Sequence, residues 1–235
     1  MTPLNNKLHA NLKIQQANDV SRFKNQQLIP ITVQDFIPLS TEFPIVFVKN
    51  EDTGQFTSVA MMAIRTGVNL YCQETKWSCA VTPVGFHNAP LSLVKTSENS
   101  DEVMVCFDEK SNFMSADSGE ALFDVEGQQT EFLNRRIQAL LSVAEFTEQT
   151  QTIINILARK KLLISKQLNV KLASEQEPTL ISGIYLVDEK ALNALSSEEF
   201  EDLRTKGLLP LVYAHLASLH QITRLTMKQN AFEAK

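Results

Sequence analysis

The sequence predicts an α+β protein, β-rich in its amino-terminal half and helical in its carboxy-terminal half. Three observations carry that prediction. Short runs of Val, Ile and Phe punctuated by Gly and Pro fill residues 43–107. Residues 130–167 hold neither Gly nor Pro and repeat apolar residues at helical spacing, and the helical period returns after Pro210. With 43% hydrophobic and 21% charged residues in 235, the chain can bury a substantial core and lacks the composition of a disordered one.

The first 29 residues are polar and rich in Asn and Gln, and read as an extended arm ordered by docking onto the body. The remainder, 30–235, reads as a single domain, β-rich over 30–129 and mainly helical over 130–235. Pro30, Pro38 and Pro44 divide its start into pieces too short for a long helix. The runs FPIVFV from Phe43 and FTSVAMMAI from Phe56 read as buried strands joined by a five-residue connection containing Gly54. NLYC, WSCAV and EVMVCF follow as further strands, which an antiparallel meander or partial barrel would accommodate. ALFDV, between Gly119 and Gly127, reads as a hairpin arm.

Thr130 is a suitable N-cap with Glu131 in the first turn. The apolar set Leu133, Ile137, Leu140, Leu141 and Ala144, then Ile153, Ile154, Leu157 and Leu162, predicts two helices that break within 147–152. ISGIYLV from Ile181 reads as a late strand, Asp188 caps a short helix through Leu195, and Ser196 with Glu199 has capping-box spacing. Gly207 stands where a helix end needs a left-handed residue. One final helix is expected after Pro210, with Leu211, His215, Leu216, Leu219, Ile222 and Leu225 along one stripe.

Net charge is −5, which argues against a nucleic-acid partner, since such binding rests on a strongly basic face. The local run Arg159, Lys160, Lys161, Lys166 and Lys171 reads as a solvated helix end, with an anionic partner as the sharper alternative. The three cysteines, Cys72, Cys79 and Cys106, form neither a disulfide framework nor a paired zinc spacing; Cys79 and Cys106 read as small core hydrophobes. The amino terminus has no secretory pattern and no apolar run approaches the length of a membrane span, so a cytoplasmic location is expected, with signal-less export left open.

Several pieces, in order, resemble the SapC family of bacterial proteins: EFPIVF, the stretch Gly67 to Tyr71 followed by the single Trp77, VCFDEKS, GEALFDVEGQQT, LISGIYLVDEKALNAL and YAHLASL. The resemblance covers roughly residues 30 to 225. It implies an association with a paracrystalline surface layer, and with neighbours resembling tryptophan halogenases and cupin-type oxygenases, but no reaction. One segment departs from the family pattern. Where members often carry a pair of arginines ahead of an aromatic-Pro-Phe sequence, this chain reads GFHNAPL at 85–91.

Motifs for chemistry are sparse. His215 and His220 are five apart and fall on different helix faces, and His87 is followed by Asn88 and Ala89, which leaves no facial-triad pattern. No nucleophile elbow or phosphate loop is present, and Cys72 with His87 is the only thiol–imidazole pairing worth naming, against burial of the thiol. The acids Asp108, Glu109, Asp117, Glu120, Asp124 and Glu126 read as solvated turns before they read as a cation site. Asn69, Tyr71 and Trp77 are the best binding-surface candidates, with core packing as the equal alternative for the tryptophan.

Two functions follow. The first is a non-catalytic accessory protein that meets a protein partner or itself through its β-rich half. The second is an enzyme or small-molecule binder with a site near Asn69, Tyr71, Trp77, His87 and Asp108. Neither metal nor cofactor is expected.

Overall fold

The computed structural model describes residues 1–15, 19–97 and 102–234. In chain order its strands are β1 (Thr2–Pro3), β2 (Lys13–Ile14), β3 (Leu28–Pro30), β4 (Ile45–Lys49), β5 (Phe56–Met61), β6 (Cys72–Gln73), β7 (Lys76–Trp77), β8 (Leu91–Lys95), β9 (Val103–Phe107), β10 (Met114–Ser115), β11 (Glu120–Ala121), β12 (Leu163–Val170) and β13 (Thr179–Val187). The helices are α1 (Phe36–Leu39), α2 (Glu131–Arg159), α3 (Glu189–Asn193), α4 (Ser197–Thr205), α5 (Leu209–Ser218) and α6 (Gln221–Glu233). The chain divides into two compact units, a larger one of residues 19–84 and 146–235 and a smaller one of residues 1–18 and 85–145.

In the larger unit a five-stranded antiparallel sheet runs in the order β12-β13-β4-β5-β3. Ile45, Val46 and Phe47 of β4 are buried in succession, as are Val59 to Ile64 in and beyond β5. Such runs, without alternation, are strands covered on both faces. The expected hairpin forms between β4 and β5, and Asn50 Oδ1 organises its turn by accepting the N–H groups of Asp52 and Thr53. The late strand β13 returns to the amino-terminal sheet, pairing Ile184 with Val48 and Tyr185 with Phe47.

Helix α5 is tied to the head of β4 by two side chains from YAHLASL. Ser218 Oγ accepts the Ile45 N–H at 2.9 Å. His215 Nδ1 lies 2.8 Å from the Ile45 carbonyl, and its Nε2 accepts the Val187 N–H at 3.1 Å. A backbone N–H must donate, so Nε2 is bare and the proton sits on Nδ1. One fully buried imidazole thereby satisfies backbone groups of two strands.

In the smaller unit β1-β9-β8 form one antiparallel sheet and the two-residue strands β10-β2-β11 another. The polar first segment, expected as an arm, thus supplies β1 and β2; its residues 16–18 lie outside the described residues. Ile14, Leu91, Phe107, Leu122, Phe123, Leu133 and Leu140 form its core. Thr130 caps α2 as expected, its Oγ accepting the Leu133 N–H.

Three expectations are corrected. Residues 131–159 are one helix, not two: the polar stretch TEQTQT contains no breaker and continues the helix, with Thr150 buried and its hydroxyl accepting the Val33 N–H. The helical reading through Gln167 fails because the chain turns at Lys161, in a left-handed conformation with φ 56°, and then enters β12. The single final helix is two, because bonds from the N–H groups of Leu219, His220 and Ile222 to carbonyls three residues back turn the chain between α5 and α6. The basic run therefore spans a helix end, a turn and a strand.

Candidate functional site

In the larger unit, the two-stranded ribbon β6–β7 lays Trp77 opposite Cys72. Beneath it lie Phe43 and Tyr71, both fully buried. The rings of Phe43 and Tyr71 meet edge to face at 4.6 Å between centroids, and Trp77 lies 5.8 Å from Tyr71 and 6.0 Å from Phe43. These are favourable aromatic separations. Trp77 itself is only partly buried, and its indole N–H donates to the Val81 carbonyl at 2.7 Å. The tryptophan is thus both packed and presented.

Two cations from α6 flank this group. Lys228 Nζ sits 4.7 Å from the centroid of the Tyr71 ring, within cation–π range. Arg224 pairs with Glu42 at 2.6 Å and donates to the Thr41 carbonyl. The Tyr71 hydroxyl donates to the Glu42 carbonyl at 3.3 Å. Burial, and secondarily the Glu42 charge, holds its pKa well above the ordinary phenol value, so it stays protonated.

Asn69 is buried as a brace. Its Nδ2 donates to the Phe23 carbonyl and its Oδ1 accepts the Tyr71 N–H, while its own N–H bonds the Lys24 carbonyl. Asn69 therefore positions Tyr71 and leaves little to offer a ligand. Cys72 is also buried, its thiol directed to the Val20 carbonyl; Cys79, read above as a core hydrophobe, is only partly buried. Burial raises both thiol pKa values, which suits neither to nucleophilic work.

The structure brings Asn69, Tyr71 and Trp77 together. His87 and Asp108 belong to the smaller unit, both exposed. His87 ends a 3₁₀ turn over Val84–Asn88, and Asp108 Oδ1 accepts the Lys110 N–H in a turn after β9. The segment GFHNAPL is held from α2, where Arg136 donates to the carbonyls of Asn88 and Ala89 at 3.2 and 2.6 Å. Sequence reasoning did not single out Arg136, Arg224 or Lys228; their helical surroundings gave no sign of what they would face.

The smaller unit also carries an open groove of about 640 Å³. Its lining includes Asn5, Asn6, Gln128, Gln129 and Asn134 together with Leu4, Met104, Phe123 and Ile137. The pairs Asn5–Asn6 and Gln128–Gln129, with Asn134, are spread over 130 positions and carry no periodic signal, so this groove too was invisible in the sequence. Among the described residues no group of His, Cys, Asp and Glu could hold a metal ion, and no helix is long and apolar enough to cross a membrane.

A family model described as SapC matches residues 4–225. The chain belongs to the SapC family. No curated protein and no solved structure matches it. The SapC match extends over most of both compact units and includes Asn69, Tyr71, Trp77, His87 and Asp108, while Lys228 lies beyond it; it begins within the polar segment that supplies β1 and β2.

Proposed function

We infer that this SapC chain is an accessory interaction protein that docks a protein partner on the Trp77 face of its larger unit. The observation that carries this reading is a partly exposed indole backed by two buried aromatic rings and flanked by Lys228 and Arg224. Trp, Tyr and Arg dominate interface hot spots because they bury large rigid surfaces while keeping a polar handle. A ring already fixed by its neighbours loses little conformational freedom on binding. The surrounding polar groups support recognition over acid–base chemistry, since Asn69, the Tyr71 hydroxyl and Glu42 are engaged in holding the chain itself.

The surface-layer association implied by the family resemblance makes a subunit of such an assembly the first partner to test, with self-association as the other outcome. The three free thiols support synthesis and residence in a reducing compartment, and therefore a cytoplasmic location. His87 and Asp108 are not required.

The test compares capture of partners from the native cell by the wild-type chain, Trp77→Leu and Lys228→Glu. Lys228→Glu leaves the packed rings intact, so it separates recognition from folding. Both variants should retain the far-ultraviolet circular dichroism of the wild type and lose at least tenfold of a stoichiometric partner. Folded variants that capture the same partner undiminished would refute the assignment.

A further inference from the structure

The groove of the smaller unit is bordered by segments that the fold holds in place. The Leu4 N–H bonds the Val105 carbonyl, and Asn5 closes the turn that follows, its Oδ1 accepting the N–H groups of Lys7 and Leu8. Asp124 organises a second turn, its Oδ1 accepting the N–H groups of Glu126 and Gln128 beneath the bridge between Phe123 and Gln129. Asn134 stands in the first turn of α2, with its N–H on the Thr130 carbonyl. Asn6 ties the first segment to the second, its Nδ2 donating to the Gly127 carbonyl at 3.1 Å.

Each of these segments brings amides to the groove. Asn5, Asn6, Gln128, Gln129 and Asn134 all line it, and all five are exposed. Gln128, Gln129 and Asn134 make no side-chain hydrogen bond to the protein among the described residues, while Asn5 keeps its Nδ2 and Asn6 its Oδ1 for other partners. The remaining side chains of the lining, from Leu4, Met104, Val105, Phe123 and Ile137, are apolar, and no charged residue joins them among the described residues. A side-chain amide donates from its nitrogen and accepts at its oxygen. A ligand that matches this lining must therefore donate and accept at several closely spaced points and carry no charge, since a desolvated ion would find no counter-charge there.

We propose that this groove binds a short, neutral oligosaccharide. Each sugar hydroxyl is both donor and acceptor, as the amides require, and the C–H faces of pyranose rings suit the apolar members of the lining. The volume of about 640 Å³ falls within the ~300–1,000 Å³ span of small-molecule sites. A peptide fits less well, because the Val105 carbonyl is already taken by Leu4 and cannot seat an added strand. Turns fixed by Asn5 and Asp124 hold the backbone around the amides before any ligand arrives, which limits the ordering cost of binding. Every residue of the site belongs to the smaller unit, so the proposal does not depend on the Trp77 face.

The test titrates the full chain with maltotriose, cellotriose and triacetylchitotriose, and with trigalacturonic acid as the charged counterpart, by isothermal titration calorimetry. At least one of the three neutral sugars should saturate, and trigalacturonate should bind at least tenfold more weakly than that sugar. The double variant Gln128→Ala with Asn134→Ala removes two exposed amides, keeps the backbone bonds of the turn, and should weaken binding at least fivefold with an unchanged circular dichroism spectrum. Asn155→Ala, which removes an exposed amide of the larger unit, should bind as the wild type does. The proposal is overturned if none of the neutral sugars saturates, if trigalacturonate binds as tightly, or if the folded double variant binds undiminished. An equal loss in both variants, or binding of an end-blocked octapeptide of alternating Ser and Val in place of every sugar, would overturn it too.

Discussion

His215 illustrates how much one side chain can hold. A neutral imidazole suits its site because Nε2 must accept from Val187, and burial lowers its pKa from 6.5 to about 4. The folded pKa lies below the unfolded one, so the unfolded chain takes up a proton first as pH falls. Stability from this residue is therefore complete above pH 6.5 and is lost between 6.5 and about 4, amounting to about 3 kcal/mol by linkage. Urea titrations across that window should show the decline, and His215→Gln should flatten it. His215→Ala leaves a cavity and unpaired backbone groups on Ile45 and Val187, and should cost about 4 kcal/mol.

Glu233 acts in a separate window. Hydrogen bonds from Arg65 first, then Ser174 and Gln229, hold its carboxyl down at about 2, and Arg65 also pairs with Glu175. A depressed carboxyl stabilises above its unfolded pKa, near 4.5, and that contribution disappears as pH falls towards 2. Acid titration of Glu233→Gln should show a shallower decline than the wild type across this range, with little difference in the His215 window.

At the scale of elements, two helix ends share one geometry and differ in how readable they are. After α4, the N–H of Leu208 bonds the Leu203 carbonyl and the N–H of Gly207 bonds the Arg204 carbonyl, with Gly207 at φ 68°. After α2, Leu162 bonds Leu157 and Lys161 bonds Ala158 in the same pattern, with Lys161 at φ 56°. Both are Schellman ends. Glycine announces the first, whereas a lysine bearing the strain of a left-handed Cβ gives no sign of the second. That single residue explains why the helical reading ran past its end and missed β12. Lys161→Gly should therefore raise stability by about 0.5–1 kcal/mol, and Gly207→Ala, which meets open space but the same backbone strain, should lower it by about 1 kcal/mol. Thermal melts of the two variants decide both.

For the molecule as a whole, the α+β class, the β4–β5 hairpin, the capping box at Ser196 and the capped start of α2 were legible because each depends on neighbouring residues. The return of β13 to β4 was not, since it joins residues about 136 positions apart and leaves no local trace. The same limit divided the candidate site. Asn69, Tyr71 and Trp77 lie within nine positions and came together, yet Phe43, Arg224 and Lys228, which make that cluster a face, arrive from distant segments. His87 and Asp108 went to the smaller unit because β8 and β9 fold there with the chain's first residues. Chemistry read along the chain finds residue types; the fold decides which of them share a surface.

The most direct test of the docking assignment is site-specific photocrosslinking in the native cell, with a benzophenone amino acid placed in turn at Trp77, at Lys228, and at Tyr213, an exposed control on α5. The account predicts one discrete adduct, the same partner from positions 77 and 228 and none from 213. Adducts equally frequent from all three, or absent from 77 and 228 in folded protein, would contradict it.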